Sequence, residues 1–113
     1  MSDSDKAAMP VKLVSEVLRE DREIRDLVEV FVNGLADRAA ELREAHQQLD
    51  WGRLARLAHQ LKGAGGSFGY PDLSGLGATM EKAFRAGSAG QFETWMEQFA
   101  QLAIAARAGL QDG

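Results

Sequence analysis

The chain of 113 residues contains no cysteine. Disulfides, thiolate metal sites and cysteine nucleophiles are thereby excluded, and the composition fits a reducing compartment. An excess of positive charge is also missing: 13 Lys and Arg stand against 17 Asp and Glu, a formal net charge of -4. A nucleic-acid binder would show a basic balance or a basic stripe, so that class is set aside. No apolar run approaches the ~18 residues that a membrane span needs. The opening Met1-Ser2-Asp3-Ser4-Asp5-Lys6 is polar and acidic, unlike a secretory signal. A cytoplasmic location is expected. Period-two alternation is absent as well, which argues against a sheet.

What is present is helical. With 45% hydrophobic residues the chain can bury a core of its own as one domain. Residues 1–14 read as a flexible tail and 15–113 as the folded unit. The stretch from Pro10 to Leu18 is apolar but short, and fits either an extended lead-in or a short helix across the bundle. From Asp21 the period is helical: Ile24, Leu27, Val28, Phe31, Leu35, Leu42 and Ala45 form one apolar stripe. The spacing predicts that 21–48 is the longest helix, with Gly34 as a bend.

Asp50 reads as the N-cap of a second helix, whose core stripe is Leu54, Leu57, Ala58, Leu61, Ala64 and Phe68. Pro71 suits the first turn of a third helix, buried through Leu73, Leu76, Met80, Ala83 and Phe84 and stopped at Gly87. Ser88 is expected to cap a fourth, whose stripe runs from Phe92 through Trp95, Met96 and Phe99 to Leu110. Four amphipathic helices with short connections predict an all-α, antiparallel up-down four-helix bundle with a short N-terminal lead-in. Trp51 and Trp95 are read as packing anchors.

The stretch from His59 to Gly69 is unusual for a helix because Gly63, Gly65, Gly66 and Gly69 crowd it. Each glycine costs roughly 0.5–1 kcal/mol relative to alanine. At about 100° per residue, His59 lies roughly 160–200° from core-facing Leu57 and Leu61 and points to solvent. Lys62, Gly63 and Gly66 share its face. Gly63 and Gly66 make sense where another protein comes close, whereas Gly65 suits packing inside the bundle. His46 has no Lys-Gly after it and reads as a polar residue at a helix end.

The order His59, Leu61, Lys62, Gly63, small residues, Gly69 resembles the signature of histidine-containing phosphotransfer (HPt) domains of two-component phosphorelays. The continuation from Gly66 to Tyr70 is similar to the phosphotransfer domain of chemotaxis histidine kinases. The resemblance implies that His59 is phosphorylated, by a receiver aspartyl phosphate or a kinase, and hands the group to a response-regulator receiver. It implies that Lys62 places positive charge near the phosphoryl oxygens and that Glu81, at a matching offset, orients the imidazole. Ala78 stands where the chemotaxis domains carry a further histidine. Gly63, Gly66 and Arg56, with Arg53 beside them, are expected to meet the docking partner; Ser67 is read as closing the helix end.

No Walker-type sequence is present, so the chain is expected to be a phosphoryl carrier with no ATP site and no cofactor of its own. Mg²⁺ is expected in the partner receiver, and the carrier is expected to be a monomer. Di-iron bundles use Glu-x-x-His pairs, but Arg43 and Arg56 occupy the positions three residues before His46 and His59. The competing readings are a non-catalytic helical interaction module, or an HPt module of a larger kinase; the polar start with its own Met favours a free-standing carrier.

Overall fold

The computed structural model describes residues 22–112, and side chains from 23 to 110. The expected tail at 1–14 and the lead-in at 10–20 lie outside the described residues. Five helical segments follow one another: α1 (Arg22–Asn33), α2 (Leu35–Gln47), α3 (Trp51–Ser67), α4 (Pro71–Arg85) and α5 (Phe92–Asp112). α1 and α2 form one limb interrupted at Gly34, so the described chain is a four-limbed helical bundle. Among the described residues there is no strand, and no helix is long and apolar enough to cross a membrane.

The bend at Gly34 preserves the helical ladder. Its amide donates to Val30 at 3.0 Å and Phe31 at 3.2 Å, and its carbonyl accepts from Arg38 at 3.1 Å. The interruption makes α5, at 21 residues, the longest helix among the described residues, rather than the segment 21–48. Leu27 is also corrected: it is exposed, and Val32 is buried in its place. The buried face of α1 is centred on Val28, Phe31 and Val32, which leaves Leu27 at its edge.

Between the limbs lies one core, in which Leu35, Leu42, Leu54, Leu61, Leu73, Met80, Phe84 and Phe99 are fully buried. Each such side chain contributes about 1.5–3 kcal/mol relative to its exposure. Aromatic contacts bind successive limbs: Phe31 stacks on Phe68 at 5.3 Å, and Phe84 meets Trp95 edge-on at 5.7 Å. His46 stacks on Phe92 at 3.9 Å between ring centroids, so it packs the end of α2 against the start of α5.

The helix ends set the register of the site. Asp50 accepts from the Arg53 amide at 3.1 Å and opens α3, and Pro71 opens α4. α2, α3 and α4 close in the same way, with a residue at positive φ whose amide and the next one bond back into the last turn. At α3 these are Gly69 to Gly66 at 3.4 Å and Tyr70 to Gly65 at 2.8 Å. At α4 they are Gly87 to Phe84 at 3.0 Å and Ser88 to Ala83 at 2.9 Å. Ser88 therefore closes α4 instead of capping α5, whose first helical bond is accepted by the Gln91 carbonyl at 3.0 Å.

At α2 the same position is held by Leu49, with φ of 51°. A left-handed conformation costs an L-residue about 1–2 kcal/mol, and Leu49 is 58% exposed, so little burial offsets it. Glycine removes that cost but loses more entropy on folding. Leu49→Gly is expected to stabilise the fold by about 0.5–1 kcal/mol. A higher urea midpoint with unchanged slope is the expected readout, and a lower midpoint would show that the Leu49 contacts outweigh the strain.

Tyr70, the single tyrosine of the chain, is fully buried. Its hydroxyl has no hydrogen-bond partner among the described residues. Burial pushes the phenol up to about 12 from its ordinary 10.0. Above pH 10.0 the unfolded chain ionises while the folded chain keeps its proton, so stability falls as pH rises toward 12. Phenolate absorbance is expected to develop near pH 12 in the folded protein; a transition near 10 would place the ring in water.

Candidate functional site: the seam between α3 and α4

The site is built where two helix backbones come unusually close. A Cβ added at Gly77 of α4 would lie 2.6 Å from the Lys62 amide nitrogen and 2.9 Å from the Ala58 carbonyl oxygen of α3. One at Gly65 of α3 would lie 2.8 Å from the Ser74 amide nitrogen of α4. Glycine is required at both places because the obstacle is backbone, which cannot swing aside. Between them the Ser74 hydroxyl donates to the Lys62 carbonyl at 2.8 Å and pins the two helices together.

One turn beyond Gly77, Glu81 sits on the same face of α4, and the close seam brings its carboxylate to His59. Oε2 of Glu81 lies 3.0 Å from Nδ1 of His59, and Oε1 accepts from Lys62 Nζ at 3.4 Å. Arg85, four residues further on, donates to Oε2 from Nε at 3.0 Å and from Nη2 at 2.7 Å. The Glu81 side chain is only 11% exposed, whereas that of His59 is 61% exposed. A nearly buried carboxylate thus gathers three nitrogen groups, and the imidazole among them is well exposed to solvent.

The Arg85 guanidinium, followed by His59 and Lys62, holds the Glu81 carboxyl below the usual carboxylate range against the opposing effect of burial. Glu81 is ionised at neutral pH and can only accept hydrogen bonds. Nδ1 of His59 must therefore carry the proton of this contact, and in the neutral ring Nε2 keeps its lone pair.

Gly63 and Gly66 differ in kind from Gly65. A Cβ at Gly63 would meet nothing within 4 Å, and one at Gly66 only the Ser74 hydroxyl at 3.5 Å. Both are exposed on the His59 side of α3, so packing inside the bundle does not demand them. Arg56 is exposed and has no ion pair among the described residues. Arg53 is committed elsewhere: it bonds Glu44 of α2 at 2.6 Å and lies 4.0 Å from Glu41. Ser67 is exposed in the last turn of α3, and Ala78 is exposed on α4. His46 lies apart from this constellation, against Phe92.

The family model of the Hpt domain matches residues 26–109. The chain belongs to the Hpt domain family. The matched span contains His59, Lys62, Glu81 and Arg85, and covers most of the described bundle. Membership places the protein in histidine phosphotransfer within two-component relays, in a family whose members act with kinases and receiver domains as phosphocarriers. No curated protein and no solved structure gave a significant match.

Sequence reasoning on this Hpt domain missed Gly77, Ser74 and Arg85. Arg85 had a signal, since it stands four residues after Glu81 on a predicted helix, the spacing of an intrahelical ion pair. Gly77 likewise stands four residues before Glu81. For Ser74 the sequence holds no comparable signal.

Proposed function

We propose that the protein is a histidine phosphocarrier that bears its phosphoryl group on Nε2 of His59, taking it from a receiver aspartyl phosphate or a kinase and passing it to a response-regulator receiver. The observation that supports this most is the 3.0 Å contact from Nδ1 to the ionised Glu81, made by a ring that is otherwise open to solvent. In the forward step Nε2 attacks phosphorus, the new P–N bond forms, and the P–O bond to the donor aspartate breaks with its electron pair on the carboxylate. The phosphorylated ring retains the Nδ1 proton and a positive charge, which Glu81 balances. In the return step the P–N electron pair goes back to Nε2, and the imidazole leaves neutral because Nδ1–H never departed. Neither direction needs a proton to move.

Lys62 supplies the mobile charge. Its contact to Glu81 is the longest of the three at 3.4 Å, and its ammonium group can turn to the phosphoryl oxygens during transfer. Gly63 and Gly66 leave room beside His59 for the partner's loops, and Arg56 offers a free positive charge at the same face. Mg²⁺ belongs to the partner receiver in this reading, and a monomer keeps the face accessible.

Incubation with a radiolabelled, phosphorylated receiver domain is the direct test. The label is expected to move to this protein as an acid-labile, base-stable phosphate. Complex formation with all label retained by the receiver would instead support a non-catalytic interaction module and end the carrier reading.

A further inference from the structure

We infer that Arg85 is a positioning residue of the His59 site: its guanidinium holds the Glu81 carboxylate so that Oε2 faces Nδ1 of His59. The kinetic consequence rests on the carrier reading above; the spectroscopic one does not.

Three N–H groups converge on one carboxylate oxygen. Arg85 makes the shortest contact, 2.7 Å from Nη2, and adds a second from Nε at 3.0 Å. His59 makes its 3.0 Å contact to that same oxygen, while Lys62 holds the other one at 3.4 Å. Two donors from a rigid planar fork fix the direction of an oxygen in a way that a single ammonium cannot. An ordinary exposed ion pair four residues apart on a helix contributes little, since water competes for both partners. Here the Arg85 side chain is 62% exposed, but its acceptor is 11% exposed and shared with the imidazole. The value of the pair lies in where it leaves Oε2.

A neutral histidine side chain in water favours the proton on Nε2, the tautomer that cannot attack through that nitrogen. Keeping the proton on Nδ1 therefore depends on an acceptor that stays in place. Without Arg85, the ionised carboxylate is held by Lys62 and His59 alone and is free to turn toward the ammonium or toward water. The Nε2–H form then gains population. Lys62 is a poor substitute, because its ammonium is needed at the phosphoryl group and cannot serve as a permanent anchor.

Nitrogen NMR of His59 in the unphosphorylated protein tests this without any phosphodonor. Arg85→Ala is expected to move the averaged ring-nitrogen shifts toward the Nε2–H tautomer, in the direction also taken by Glu81→Gln. Phosphoryl transfer in Arg85→Ala is expected to slow about tenfold, the scale of one lost charge-assisted hydrogen bond. Arg85→Lys, which keeps the charge with one donor group, is expected to recover part of both effects. Unchanged His59 tautomer shifts in Arg85→Ala, with helical circular dichroism intact and Glu81→Gln shifted, would overturn the inference. Wild-type protein that shows the Nδ1–H signature yet takes no phosphate would instead overturn the carrier reading and leave the positioning role standing.

Discussion

Substituting His59 with glutamine is expected to abolish phosphoryl uptake, by roughly a thousandfold or more, while leaving helical content and melting temperature almost unchanged. Removal of an attacking group eliminates the covalent route, and what remains cannot form the intermediate. The fold should tolerate the change because the His59 side chain is 61% exposed and contributes little to the core. A glutamine amide N–H can still donate to Glu81, so the nearly buried carboxylate keeps a third partner beside Arg85 and Lys62. His46 is the internal control, since it lies against Phe92 and is unpaired with any carboxylate in the described structure. Label on the His59→Gln protein would show that another residue bears the phosphate.

The second large effect concerns stability. Gly77→Ala is expected to cost about 2 kcal/mol, the balance of an overpacking penalty near 3 and a gain of about 1 from replacing a helical glycine. The penalty is high because the added methyl would stand 2.6 Å from the Lys62 amide nitrogen and 2.9 Å from the Lys62 Cα. No side chain can move away to make room, so α3 and α4 must separate. Separation also draws Glu81 from His59, and transfer should slow in the same variant. Gly63→Ala makes the comparison sharp: the same substitution meets nothing within 4 Å and should stabilise by about 0.5–1 kcal/mol. Thermal denaturation of the two variants should shift in opposite directions. A Gly77→Ala protein as stable as the parent would mean that the seam is not held by backbone contact.

The contrast between these two glycines marks the boundary of what the sequence could reveal. The 3.6-residue period separates the faces of one helix, so the outward His59, Lys62, Gly63 and Gly66 and the inward Leu57 and Leu61 could be read from α3 alone. It does not say which turn of the next helix stands opposite. Glu81 was reached through a resemblance in motif spacing, whereas Gly77 and Ser74 become meaningful only when the register across α3 and α4 is known. Helix ends posed a related problem. Gly87 announces a left-handed stop by its lack of a side chain, but Leu49 does the same work with no such mark. Ser88 has the side chain of an N-cap for α5, but its backbone amide bonds the Ala83 carbonyl and closes α4 instead.

The glycine-lined seam also governs what information the domain can convey. With the backbones of α3 and α4 in contact at Gly65 and Gly77, the pair has no slack through which a change at His59 could be relayed to α1, α2 or α5. In the function proposed above, the phosphoryl group is added at an exposed ring, on the solvent side of that pair. A loaded and an unloaded molecule are therefore expected to present nearly the same shape everywhere except at one nitrogen. Such a molecule stores a signal without interpreting it. Only a protein that touches the ring can tell the two states apart, so all discrimination between input and output lies in who docks there and in what order.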